Sequence, residues 1–464
     1  MNLPRLILAD ESRPGKIPAG VIIACALKEM GYRLKLFVGG VDETVLRTLE
    51  VMCGQPVTVL DPILCDGRSN FRWLFQTAGA PDCLNLVLTN LGARWTEESA
   101  FRVPKECFLL ADWLECELVP IVYSDTSSVI AVRTVTEIIK QFEQRELSLI
   151  NGILFRSVLN NREYQLLDRE VGRQIAAFPI GSLPKMMERD QPLLTDLVSE
   201  GAKQAVFSLR SAAIQLKGME HQLSWPVFSA LAQARMKWPN QAALEEPISD
   251  SGNVNIAVIR HPALTLGGDG TEHLLKVMGC NVVDIPLEGD IEHNVPIHGV
   301  YIPHGLGYLT LQKFFGNLYL KTMMNRGSTG SSFLLAEGGS APLLGDRIVL
   351  PPGYAGGGEV RGFGVLPYNS AYAASTFGQP QKLVARRRKL NPLISGSQEW
   401  VWGYTSQSLQ FEILDEDDVC WNIGESLEQK PIALDGWSRG RVLASRMRLE
   451  PWGSPEGFRR WLEG

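Results

Sequence analysis

FLLAEGGSAPLLG, residues 333–345, is an apolar run that stops at two glycines before a second apolar stretch. Read as strand, sharp turn and helix, it has the shape by which α/β enzymes lift a nucleophile above the edge of a sheet. The residue at the tip of the turn is Gly338, which has no side chain to attack with. The stretch is either an elbow without its nucleophile or only a tight turn. Its surroundings decide between the two.

Upstream of the elbow, apolar runs alternate with helical patterns. NVNIAVIRH (253–261), NVVDIPL (281–287), GVYIPHGLG (299–307) and SSFLLAEGG (331–339) read as strands, with helices predicted over GTEHLLKVMG (270–279) and TLQKFFGNLYLKTMMNRG (310–327). The same alternation fills the first half. RLILAD (5–10) is followed by a helix over PAGVIIACALKEMG (18–31), where Pro18 suits a first turn and Gly31 a stop. Then come RLKLFVGG (33–40), PVTVLD (56–61), NLVLTN (85–90), LVPIVYSD (118–125), a helix over 127–144 and INGILFR (150–156). Near-continuous Val/Ile/Leu runs of this kind mark parallel strands covered on both faces. The predicted fold is α/β, with two doubly wound domains.

A polar, acidic and Pro-containing stretch, KWPNQAALEEPISDSGN (237–253), reads as the linker between domains 1–240 and 253–464. From VLPPGYAGGGEVRGFGVLP (349–367) onward, glycines, aromatics and short alternations predict antiparallel strands added to the second domain.

The 464 residues are 45% hydrophobic and 21% charged, a composition expected of a globular cytoplasmic protein. No apolar run approaches the ~20 residues of a membrane span. A net charge of −6 argues against a nucleic-acid partner, which needs clustered cations. The basic run ARRRK (385–389) reads as a solvated edge in preference to a phosphate-binding patch. Eight scattered cysteines without a CxxC pair read as reduced, buried thiols rather than disulfides or a metal site. The six histidines offer no metal-ligand spacing, and only His304 falls in a predicted site loop. A histidine satisfied by backbone groups is preferred there over a catalytic base, because no Cys or Ser partner is evident.

A phosphate loop belongs between the first strand and helix, where ADESRPGK (9–16) stands. Gly15 and Lys16 suit it, but Asp10, Arg13 and Pro14 do not, and Ile17 stands where a magnesium-binding Ser/Thr is needed. In the elbow, Ser340 reads as a capping or first-turn serine rather than a displaced nucleophile.

Together, these motifs resemble the cobyrinic acid a,c-diamide synthase family, in which a P-loop amide ligase is fused to a class I glutamine amidotransferase. The resemblance rests on RLILADESRPGK, LKLFVGGVD (34–42), VLDP (59–62), INGILFRSV (150–158) and IAAFPIGSLPKM (175–186) in the first half. In the second half it rests on YIPHGLGY (301–308), LLAEGGSAPLL, GFGVLP (362–367) and RGRVLASRMRLE (439–450). It implies a P-loop, dethiobiotin synthetase-like first domain and a flavodoxin-like amidotransferase domain. The implied activity is ATP- and magnesium-dependent amidation of a tetrapyrrole carboxylate with ammonia from glutamine.

Residue by residue, the working parts carry over poorly. Ser12, Gly15 and Lys16 match the phosphate loop, while Ala9 replaces its opening glycine and Ile17 its threonine. Phe37, Gly40 and Asp42 remain of the F-K-x-G-P-D stretch, but Val38 and Val41 replace its lysine and proline. The acid ending the next strand falls on Thr89 or Asn90. The cysteine of A-E-C-G-G is Gly338, within a matching Ala336, Glu337 and Gly339, and the histidine segment aligns with the histidine-free GYTSQSL (403–409).

The expected nucleotide site, Ser12, Gly15, Lys16 and Asp42, is therefore vestigial, with ATP and Mg as cofactors only if it functions. The leading expectation is a degenerate homologue that binds, scaffolds or regulates, as a homodimer or beside an active paralogue or a tetrapyrrole-pathway protein. The alternatives are a divergent ligase using Lys16 and free ammonia, and a structural subunit of a heteromer.

Overall fold

The chain was analysed as a computed structural model. It describes residues 2–463 other than 95, 97, 126, 220–221, 235–236, 239–253, 289–294, 329–331, 352, 355–357, 374–379, 391–392, 395–398 and 407–408. Most of the expected linker, from 239 to 253, lies outside the described residues. The chain forms two compact units, one of residues 1–62 and 78–241, the other of residues 63–77 and 242–464.

In the first unit, seven strands form one parallel sheet: β1 (Arg5–Glu11), β2 (Leu34–Gly39), β3 (Thr58–Leu60), β4 (Leu84–Gly92), β5 (Leu118–Tyr123), β6 (Gly152–Val158) and β7 (Phe178–Pro184). Their order is β3-β2-β4-β1-β5-β6-β7. β1 thus has β4 on one side and β5 on the other. The chain switches direction at this point, and open α/β sheets place their ligand crevice beyond the carboxyl ends of such strands. The strands are apolar on both faces because helices cover the sheet. Helix α1 (Ala19–Glu29) buries every residue from Ala19 to Leu27, and Gly31, at φ +91°, turns the chain out of it. Helix α2 (Glu43–Cys53) follows β2. Helix α3 (Arg68–Ala78) lies largely within the segment 63–77 that belongs to the second unit, where Trp73 meets Trp452 edge-on at 4.8 Å. Helices α4 (Lys105–Leu114), α5 (Ser128–Glu143), α6 (Asn161–Gln174), α7 (Leu194–Leu197), α8 (Ala202–Ala205), α9 (Phe207–Lys217) and α10 (Trp225–Ala234) complete this unit.

The second unit restarts the pattern with β8 (Asn255–Arg260), α11 (Gly270–Val277), β9 (Asn281–Pro286), β10 (Gly299–Ile302), α12 (Leu311–Gly316), α13 (Leu318–Ser328) and β11 (Phe333–Glu337). The single helix predicted over 310–327 is two, divided at Asn317, whose extended backbone (ψ 108°) ends the first and whose side chain accepts the Leu320 N–H of the second. The helix expected after the elbow is also replaced. Gly338–Leu344 forms a 3₁₀ run, which suits Pro342 inside it because a proline has no N–H for an α-helical bond.

Ten further strands follow: β12 (Arg347–Val349), β13 (Glu359–Arg361), β14 (Tyr368–Tyr372), β15 (Gln381–Arg387), β16 (Trp400–Thr405), β17 (Leu409–Ile413), β18 (Val419–Gly424), β19 (Ala433–Arg439), β20 (Val442–Ser445) and β21 (Arg448–Leu449). Helix α14 (Pro455–Glu463) closes the described chain. The main sheet runs β21-β16-β15-β18-β19-β20-β11-β10-β8-β9. Its parallel part, β9-β8-β10-β11-β20, has the order 2-1-3-4-5 of flavodoxin-like sheets, with its switch point between β8 and β10. The antiparallel extension is the one that the alternation after residue 349 predicts. A smaller sheet, β13-β12-β14-β17, accompanies it.

The basic run at the end of β15 is engaged locally. Arg387 pairs with Glu399, Arg388 with Glu416 and Lys389 with Asp417, while Arg386 donates to the Leu427 carbonyl. All eight cysteines are free thiols, buried except for the partly exposed Cys83. Among the described residues, no helix is long and apolar enough to cross a membrane, and no three His, Cys, Asp or Glu residues converge as metal ligands.

Candidate functional site

Each unit has a loop at its switch point, and in each loop the chain's own side chains bond to backbone amides. In the first unit the loop leaves β1 at Asp10 and enters α1 at Ala19. A helix start of this kind offers unpaired amides to an anion. Here Asp10 Oδ1 accepts the Ala19 N–H at 2.8 Å and Oδ2 accepts the Gly20 N–H at 3.0 Å. Arg156, from β6, pairs with the same carboxylate at 3.2 Å, and both side chains are buried. A carboxylate on two helical amides with an arginine beside it reproduces the arrangement that would hold a phosphate. Burial pushes the Asp10 pKa up, against the lowering influence of Arg156 and the two amides.

Further groups of the loop are also engaged. Ser12 N donates to the Gly92 carbonyl at 2.8 Å and Ile17 N to the Arg189 carbonyl at 3.2 Å. Ser12 Oγ is tied to Asn90 Oδ1 at 2.5 Å, and Lys16 Nζ to Asp190 at 2.7 Å. Gly15 sits at φ +70° with open space where a Cβ would stand, so it serves the turn. Arg13 makes a two-pronged pair with Asp125, at 2.7 and 2.9 Å, and lies 3.6 Å over the Tyr123 ring. That pairing holds the Asp125 carboxyl below its ordinary range. Asp42 caps α2 by accepting the Val45 N–H at 2.9 Å. Thr89, at the position of the missing acid, donates to the Gly39 carbonyl at 2.7 Å. Ser12, Gly15 and Lys16 therefore share one loop, whereas Asp42 does local helix work.

In the second unit the elbow tip, Gly338, has φ +57°, a conformation that favours glycine. A Cβ there would collide with the imidazole of His304. His304 comes from the loop after β10, is fully buried, and accepts the Gly339 N–H on Nδ1 at 3.2 Å. With Nδ1 accepting, the ring proton belongs on Nε2, which faces Ser406 Oγ at 3.4 Å. Tyr404 packs edge-on against the ring at 5.5 Å. The Gly339 carbonyl accepts the Tyr372 hydroxyl at 2.6 Å, so both backbone polar groups of Gly339 are held. Ser340 stands in the first turn of the 3₁₀ run and is not its cap. Its buried hydroxyl donates to the Pro303 carbonyl at 2.6 Å, which ties the elbow to the β10 loop. Glu337, just before the tip, is also inward-facing. It accepts the Tyr301 hydroxyl and, at 3.0 Å, the Leu449 N–H, and burial raises its pKa against the pull of Arg448.

An elbow amide that follows a nucleophile is the usual donor to an oxyanion. His304 therefore fills the space of a nucleophilic side chain and also engages the neighbouring amide. Sequence reading placed His304 in the right loop but could not connect it to Gly338 across 34 residues. It also read Asp10 only as an acid hostile to phosphate, and Arg156 and Ser406 went unremarked.

No protein-family model matches the chain, and no curated protein is similar to it in sequence. Solved structures with related folds include a glutamine amidotransferase, 21% identical, aligned over 45% of this chain and 97% of its own, with a TM-score of 0.32. PurLQS from Thermotoga maritima is 10% identical over 46% of this chain and 98% of its own, with a TM-score of 0.33. FlhF complexed with GTP and Mg²⁺ is 11% identical over 40% of this chain and 65% of its own, with a TM-score of 0.26. Likeness at these levels concerns the α/β fold alone.

Proposed function

We propose that this protein is a catalytically retired relative of the amidotransferase-ligases that cobyrinic acid a,c-diamide synthase represents, and that it works by binding, as a scaffold or regulator. The observation that carries the reading is the His304 imidazole seated in the nucleophile space at Gly338 and bonded to the Gly339 amide. Losing a nucleophile and its base costs many orders of magnitude in rate, which no positioning of the remaining groups recovers. The second support is Asp10, a built-in anion on the α1 amides. Two sites filled from within, on an intact core, are what a fold kept for binding would retain. A tetrapyrrole-pathway protein or an active paralogue is the kind of partner this reading favours.

The test is turnover by purified protein. Glutamine hydrolysis and ATP hydrolysis are both expected at buffer background, and Gly338→Cys is expected to restore neither. Turnover of either substrate, abolished by changing His304 or Lys16, would overturn the proposal.

A further inference from the structure

We propose that Cys25 and Cys53 form a reversible disulfide when the folded protein meets a peroxide, a redox-sensitive clamp between α1 and α2. Cys25 lies in the second half of α1, and Cys53 is the last residue of α2. Both side chains belong to one core cluster, and their sulfurs share a hydrogen bond.

A thiol buried alone in apolar surroundings is inert. This pair differs in two respects. It sits at the end of a helix, where Gly54, the next residue, is exposed and turns the chain away at φ +60°. Helix ends open locally at lower cost than core segments, so a molecule as small as hydrogen peroxide reaches the pair without global unfolding. Two exposed cations also rim this end. The Lys28 amine stands 4.0 Å from where a Cβ on Gly54 would be, and Arg210 donates to the Met52 carbonyl at 3.4 Å. Positive charge near a thiol favours the thiolate, which is the reactive form. The shared hydrogen bond then sets the roles, since it lowers the pKa of Cys25 and raises that of Cys53. Cys25 is the attacking sulfur and Cys53 the resolving one.

The Cys25 thiolate attacks one oxygen of hydrogen peroxide. The O–O bond breaks, the departing hydroxide takes up the proton that Cys25 released, and a sulfenic acid remains. The Cys53 sulfur next attacks the Cys25 sulfur, the S–O bond breaks, and the hydroxyl leaves as water with the Cys53 proton. Two electrons pass from the thiol pair to the peroxide, which ends as two waters. A dithiol reverses the bond by exchange. Because the first amides of α1 hold Asp10, the clamp ties the switch-point helix to its neighbour. The inference uses neither switch-point loop and stands whether or not those loops are retired.

Peroxide treatment of the folded full chain tests it, followed by alkylation of the remaining thiols in denaturant and tandem mass spectrometry of a non-reduced digest. Two of the eight thiols are expected to disappear together, as one cross-link between Cys25 and Cys53 that dithiothreitol removes. Cys25→Ala and Cys53→Ala are each expected to abolish the cross-link, and Cys83→Ala, at the partly exposed cysteine, to leave it intact. The proposal is overturned if both thiols stay fully alkylatable, or if Cys25 is oxidised without being linked to Cys53. An equal yield of the cross-link from chain unfolded in urea overturns it as well, because the folded contact would then not direct the reaction.

Discussion

The Nδ1 atom of His304 accepts the backbone N–H of Gly339 at 3.2 Å, and the same ring occupies the volume that a Cβ on Gly338 would need. One residue thereby fills the space at Gly338 and engages the amide that follows it. Because His304 and Gly338 exclude each other's larger forms, the two positions are energetically coupled.

That coupling is measurable. Gly338→Ala is expected to destabilise by about 1–3 kcal/mol, since it adds both a left-handed backbone conformation and a clash. In a His304→Ala background the clash is gone, so the double variant should be more stable than the two single losses predict, by about 0.5–3 kcal/mol. Urea denaturation of the four proteins checks this; strict additivity would remove His304 as the cause.

The Asp10–Arg156 pair gives a second expectation. Both side chains are about 4% exposed, and Asp10 also satisfies two helix amides. Asp10→Ala leaves a buried guanidinium without its carboxylate and two amides without their acceptor, which is expected to cost about 3–5 kcal/mol. Changing Arg156→Met in the same chain should recover part of that loss, because the stranded charge is removed with its partner. Chemical denaturation of the single and double variants decides it.

ATP with magnesium is expected to leave the melting temperature unchanged, in wild type and in Lys16→Ala alike. Lys16 is committed to Asp190, and the α1 amides to Asp10. A nucleotide that bound at a hundred times its dissociation constant would add about 2.7 kcal/mol, well within the reach of a thermal-shift measurement. Such a shift, lost in Lys16→Ala, would favour the ligase alternative.

Alkaline pH should weaken the fold. Burial pushes the Cys280 and Cys420 thiols up to about 11 and the Cys107 thiol to about 12. The unfolded chain releases these protons near pH ~8.5 while the folded chain keeps them, so the unfolded state binds fewer protons. Stability is then full below pH ~8.5 and falls as pH rises from there toward 11. Denaturation midpoints at successive pH values check the slope, and Cys280→Ser should flatten it.

Much of the architecture was legible from local patterns. The apolar runs that begin at Leu6, Leu34, Leu118 and Ile256 were read as strands because sheets covered on both faces need continuous Val/Ile/Leu runs. Pro18 and Gly31 bounded α1, and helical spacing located α5, nearly to their ends. The patterning misled where one residue overrides it. Asn317 divides a periodic stretch into two helices, and Pro342 turns the expected helix after the elbow into a 3₁₀ run. The α3 segment was out of reach, since packing rather than periodicity assigns residues 63–77 to the second unit.

By itself, the sequence determined the alternation of strands and helices, the two-unit plan and the glycine at position 338, because these depend on residue type and on neighbours a few positions away. Only the tertiary structure decided which side chains meet at Gly338 and at the α1 amides. Asp10 meets Arg156 across 146 residues, and His304 meets Ser406 across 102. Charge, burial and hydrogen bonding act through space, and chain order does not record which side chains the fold brings within hydrogen-bonding reach of one another.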